Sequence, residues 1–128
     1  MSEPDKSVVT FRAPEEAATV PTIDPYDLAL TFAAQIGELL DTAGARFHIK
    51  DQLDKSATAI ALAIARAKAE PVATDRRRYY RSARRLAVDC VTILDILHRR
   101  HSAFADQLGP AQVVAQSLLE RLTVLAHA

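Results

Sequence analysis

Six arginines fall between positions 76 and 85, namely Arg76, Arg77, Arg78, Arg81, Arg84 and Arg85, with Tyr79 and Tyr80 set among them. A guanidinium is a rigid fork of donors that matches two oxygens of a phosphate or carboxylate, and a tyrosine ring is a face on which an unpaired base can stack. On a helix, Arg77, Arg81, Arg84 and Arg85 share one side, with Arg78 beside them. The six arginines and Tyr80 form the candidate binding set. Such a face could hold RNA, DNA or an acidic protein. It could also be a solvated or intersubunit face, neutralised by aspartates of a neighbour or by the acidic N-terminal segment. Phosphate binding would make affinity fall steeply with salt.

Two other spacings invite chemistry and are weaker. Asp95, His98 and His101 lie three apart, the Asp-x-x-His arrangement of carboxylate-bridged metal bundles. Those sites also need a Glu on each of two helices and Glu-x-x-His on two more. The flanking helical segments offer only Glu38 and Glu120, so no metal site is assigned. Arg121 and His127 fit an arginine-then-histidine spacing seen in helical RNases of the HEPN class. Six residues carry a helix about 240° round its axis, so the pair does not share a face. There is no Gly-rich phosphate loop, no CxxC or HExxH pattern and no Ser-centred elbow. No catalytic residue and no cofactor is assigned. A non-enzymatic binding protein is the expectation, with a HEPN-type RNase or a metal-binding bundle as the competing class.

The arginines ride on a helix predicted over 75–101. Ala83, Ala87, Cys90, Leu94 and Leu97 alternate four and three apart, the seam of a packed bundle. Pro71 breaks the preceding pattern, and Thr74 or Asp75 is the expected cap. At the far end His98, Arg99, Arg100 and His101 place positive charge where the helix dipole favours it. The N-terminal arginines oppose that dipole, which points to a partner or an acidic neighbour as their reason.

Three more helices are expected around it, over about 25–43, 48–69 and 110–127. Asp24 before Pro25 is a helix start, because Asp accepts from free amides and Pro fits the first helical position. Leu28, Phe32, Ile36, Leu39 and Leu40 form the stripe that follows, ending at Gly44. Ile49, Leu53, Ile60 and Ile64 mark the second helix, with alanine at every odd position from Ala57 to Ala69. That alternation mimics a strand, but alanine is the best helix former and the isoleucines keep helical spacing. Its small residues predict the most enclosed of the helices. A loop over 102–109, able to hold a helical turn through Phe104 and Leu108 and punctuated by Gly109 and Pro110, leads to a last helix with Val114, Leu118, Leu122 and Leu125 on its stripe. The fold class is all-α, an antiparallel up-down-up-down four-helix bundle over 24–128.

Residues 1–23 contain Pro4, Pro14 and Pro21 and no usable periodicity, and are expected to form a flexible tail, with 7–12 the part that could pair or dock. Sixteen acidic and sixteen basic residues balance overall. Through Asp24 there are five acidic residues against two basic, a net of −3, leaving +3 on the remainder. A neutral total argues against indiscriminate nucleic-acid binding and leaves room for a local basic site. The single Cys90 excludes an intrachain disulfide and sits on the apolar seam, as expected of a buried thiol in a reducing cytoplasm. No signal peptide and no membrane span is recognisable, so a soluble, cytoplasmic protein is expected.

Apolar residues exceed what one core would use. Leu62, Val88, Ile96 and Leu119 fall off the principal stripes, predicting a second buried face and a homo-oligomer.

The two middle segments also carry a family likeness. Residues 51–67, DQLDKSATAIALAIARA, and 79–95, YYRSARRLAVDCVTILD, resemble the central helices of the four-helix-bundle proteins encoded in intervening sequences of 23S ribosomal RNA genes. Gln52, Leu53, Ala57, Ile60, Ile64 and Ala65 match the first family segment, and Tyr79, Arg81, Ala83 and Asp89 the second. The resemblance covers about 25–127. Where the family usually has Asn, Glu and Gly near the end of its first segment this chain has Ala63, Arg66 and Ala67, and Arg85 and Leu86 replace a Gly-Ser in the second. The resemblance implies a closed ring of five bundles, hence a homopentamer, without known catalytic activity. A related branch, the accessory variability proteins of diversity-generating retroelements, is similar in fold and binds a reverse transcriptase and nucleic acid through a basic surface.

Overall fold

A computed structural model describes residues 24–43, 47–100 and 105–127. Its four helices are α1 (Pro25–Ala43), α2 (Phe47–Ala69), α3 (Ala73–Arg100) and α4 (Ala105–His127). Each packs on its neighbours in sequence, and α1 closes the square against α4. This is the expected all-α bundle. The flexible tail assigned to residues 1–23, and His101, lie outside the described residues.

Local chemistry sets the helix starts. Asp24 caps α1 as anticipated: its Oδ1 accepts from the Tyr26 amide at 3.2 Å and its carbonyl from the Leu28 amide at 3.0 Å. Between α2 and α3 the turn is tighter than the sequence suggested. The Glu70 amide donates to the Ala67 carbonyl at 3.1 Å, ending α2, and Glu70 Oε2 accepts from the Val72 amide at 3.1 Å. The Arg76 amide then donates to the Val72 carbonyl at 2.9 Å. Helix α3 therefore starts at Ala73, and Thr74 and Asp75 lie within its first turn rather than capping it.

The second departure is at α4, which begins at Ala105 and carries Pro110 inside it. Proline has no amide to donate, so the Asp106 carbonyl lacks its usual helical partner, at the cost expected of an interior proline. Leu108 and Ala111 flank it at 2% exposure. Burying that extra turn offsets the lost bond, a tertiary effect that punctuation by Gly109 and Pro110 cannot reveal.

Phe32, Ile36, Leu53, Ile60, Ile64, Leu94, Leu108, Leu118 and Leu122 fill the core, each worth roughly 1.5–3 kcal/mol of burial. The α3 seam runs Tyr80, Ala83, Ala87, Cys90, Leu94, Leu97, one step further back than predicted. On α4 the seam is Leu108, Ala111, Ala115, Leu118, Leu122 and Ala126, with Val114 and Leu125 only partly covered. Alanines on both seams, Ala83 and Ala87 on α3 and Ala111 and Ala115 on α4, leave room for close packing of the two helices.

Helix α2 carries the most buried side chains of the four among the described residues, with Leu53, Ser56, Ile60 and Ile64 buried beside its alanines, as its small residues predict. Ala57, Ala63 and Ala67 are buried, but Ala59, Ala61 and Ala65 are partly open and Leu62 on its outer pole is 52% exposed. Helix α3 shares the most extensive interfaces, with α2 on one side and α4 on the other.

Candidate nucleic-acid interface

Antiparallel packing puts the N-terminal half of α3 beside the C-terminal turns of both α2 and α4. The terminal carbonyls of those helices carry partial negative charge, so cations there are favoured even though they oppose the dipole of their own helix. Arg76 shows this directly: its Nη1 donates to the Glu70 carbonyl at 2.9 Å, just past the end of α2. Arg84 reaches α4, with Nε donating to Thr123 Oγ1 at 3.0 Å, and that hydroxyl donates to the Leu119 carbonyl at 2.7 Å. Arg78 pairs with Asp75 one turn back at 3.3 Å, on a 70% exposed side chain. Part of the arginine cluster is thus structural, a reason the linear pattern hides.

Arg81 and Arg85 are different. Both are exposed and have no hydrogen bond or ion pair among the described residues. With Arg84 they line a groove of about 380 Å³ between α3 and the end of α4, completed by Val88, Asp89, Ala126 and His127. His127 Nδ1 donates to the Thr123 carbonyl at 2.7 Å, which fixes the plane of its ring. Arg77 is half-buried. Sequence reasoning missed Asp89 and His127 as groove residues. Asp89 follows Arg85 by one turn, and the antiparallel register brings the end of α4 opposite Arg81, so both signals were present.

One member of the predicted binding set is corrected. Tyr80 is 8% exposed and part of the core, so its ring has no face to offer a base. Its position three residues before Ala83 continues the seam register. Tyr79 is half-buried against the core.

The weaker spacings are taken up by other contacts. Gln112 Nε2 donates to Asp95 Oδ1 at 3.1 Å, and its Oε1 accepts from His98 Nδ1 at 3.2 Å. This bridge ties α3 to α4. No group of three His, Cys, Asp or Glu side chains that could hold a metal ion occurs among the described residues. Arg121 and His127 share no hydrogen bond among the described residues: His127 Nδ1 is held by the Thr123 carbonyl and its ring lines the groove. Cys90 is buried, and desolvation, with a smaller push from Asp89, raises its thiol to about 12.

Of the predicted oligomer residues, Leu62, Val88 and Ile96 are 52%, 38% and 40% exposed. Leu119 is partly buried and packed against the core of its own protomer, so it offers less free surface than the other three. No helix of the described residues is long and apolar enough to cross a membrane.

No family model and no curated protein matches the sequence. Among solved structures, the chain is similar to a protein of unknown function from the S23 ribosomal protein family of Bacteroides thetaiotaomicron VPI-5482. The two share 19% identity with a TM-score of 0.74, over 82% of this chain and 100% of that one. The likeness shows the shared four-helix fold, and the neighbour's family is the one that the two middle helices resemble.

Proposed function

We propose that this protein is a non-enzymatic helical scaffold that self-associates and holds nucleic acid on the outer face of α3, acting in the cytoplasm. The observation that carries the reading is the pair Arg81 and Arg85, exposed and unpaired among the described residues at the rim of a groove, while Arg76 and Arg78 are occupied and Arg84 commits only its Nε to Thr123. Free guanidiniums at a concave surface are anion receptors, and phosphate is the anion their fork fits best.

Self-association follows from the other half of the same face. Along α3 the outward stripe passes from Arg81 and Arg85 to Val88 and Ile96, and α2 adds Leu62. Docked copies would cover Leu62 and Ile96 and reach Val88 only at the rim of the groove, aligning the basic halves, and the family resemblance suggests five copies.

Titration of a labelled single-stranded oligonucleotide into the full chain across a salt series tests the ligand. Two or three phosphate contacts give a slope of log affinity on log salt of about −1.4 to −2.1. The Arg81→Gln/Arg85→Gln variant should flatten it by about 1.4. A salt-independent affinity, or one unchanged in the variant, refutes nucleic-acid binding at this face. Light scattering coupled to size exclusion, with and without RNA, tests assembly, and a monomer in every condition refutes that part.

A further inference from the structure

The groove between α3 and the end of α4 is not uniformly basic. Asp89 lines it one turn beyond Arg85, and neither side chain is ion-paired among the described residues. A site for bare phosphate gains nothing from a carboxylate, which repels the anion. A ligand that carries both a phosphate and hydroxyl donors uses both groups. The volume, about 380 Å³, is at the small end for ligand clefts and suits one nucleotide unit. Duplexes do not fit this description, because they keep each base stacked and show their sugars along a shallow surface. Arg84 spends its Nε on Thr123, which leaves its terminal nitrogens to the groove. The His127 ring, held by Thr123, offers a flat face of the kind on which unstacked bases rest.

We propose that this groove takes one nucleotide unit of single-stranded RNA, with Arg81, Arg84 and Arg85 on its own and the flanking phosphates of the strand, Asp89 accepting the ribose 2′-hydroxyl, and His127 against the base. This rests on the nucleic-acid reading above and adds the sugar to it. Asp89 is the residue that tells RNA from DNA: it rewards the 2′-hydroxyl and only repels a deoxyribose strand.

The test uses the full chain and three labelled single-stranded 12-mers of one base sequence: RNA, DNA, and RNA methylated at every 2′-oxygen. The methylated strand keeps the ribose pucker but cannot donate. RNA should bind about three- to tenfold more tightly than either other strand, the range of an ordinary net hydrogen bond at a solvent-exposed site. In Asp89→Ala the three strands should bind alike, with DNA held at least as tightly as by the parent chain. Equal binding of RNA and DNA by the parent, methylated RNA binding as RNA does, or a preference that survives Asp89→Ala would each overturn the sugar contact while leaving nucleic-acid binding intact. Failure of all three strands to bind would instead remove the underlying reading.

Discussion

Arg84 and Thr123 meet across the α3–α4 interface, the guanidinium Nε donating to the hydroxyl oxygen at 3.0 Å while that hydroxyl donates to the Leu119 carbonyl. The contact divides the arginine cluster in two. Arginines that satisfy the ends of neighbouring helices contribute to stability, and those that face the groove are free for a ligand.

That division predicts opposite outcomes within one cluster. Arg84→Ala removes a half-buried hydrogen bond and should lower stability by about 0.5–1.5 kcal/mol in denaturant unfolding. Arg81→Ala and Arg85→Ala remove no hydrogen bond or ion pair among the described residues and should stay within about 0.5 kcal/mol of the parent. Oligonucleotide affinity should fall in all three. Comparable stability losses at Arg81 or Arg85 would mean that they have structural partners after all.

How much of this was legible beforehand depends on whether the cause is local. Asp24 with Pro25, and the Ala83 to Leu97 seam, are one-dimensional signals, and the helices they predict are present. The start of α4 was not, because the burial of Leu108 outweighs a proline that reads locally as a stop. The same holds for the arginines. Their clash with the α3 dipole is visible in the sequence, but its resolution by the ends of α2 and α4 exists only once the helices are antiparallel. Tyr80 was misplaced for a different reason: its seam spacing to Ala83 was readable, and its chemistry drew the assignment to the surface instead.

The buried thiol gives a prediction that needs no ligand. With Cys90 fully covered and its thiol raised to about 12, the reactive thiolate is scarce at pH 8 in the folded chain. A chromogenic disulfide reagent should label it only as denaturant unfolds the protein, with the labelling and unfolding midpoints coinciding. Prompt labelling without denaturant would show that α3 opens locally around Cys90.

Gly37 sits in the interior of α1, and a Cβ built there meets nothing within 4 Å. Glycine costs a helix interior backbone entropy that alanine does not, so Gly37→Ala should stabilise the protein by about 0.5–1 kcal/mol in denaturant unfolding. If the variant is less stable than the parent, or fails to assemble, the bare backbone at Gly37 serves a close approach between copies.

The ion pair at the start of α1 predicts a pH dependence with a definite sign. Lys68 Nζ donates to Asp24 Oδ2 at 2.7 Å and lies 5.9 Å from the centroid of the Tyr26 ring. The hydrogen bond from Lys68 is the largest influence holding the Asp24 carboxyl below its ordinary 3.8, and the same bond raises Lys68 above 10.5. A depressed carboxyl contributes stability above its unfolded value and loses it as pH falls through the folded one. A raised amine contributes below its unfolded value and loses that as pH rises through the folded one. Both conditions hold together from roughly pH 5 to 9. Lys68→Met keeps the stem over Tyr26 and leaves the Asp24 cap intact, so it removes mainly the charge. The stability difference between parent and variant should be level across that window and shrink below pH 4, where Asp24 takes up its proton. A remnant from the cation over the Tyr26 ring should persist in acid, since Lys68 stays charged there. Both side chains are substantially exposed, so added salt should narrow the plateau difference as well. A difference that stays level down to pH 2 would show that Lys68 acts through packing alone.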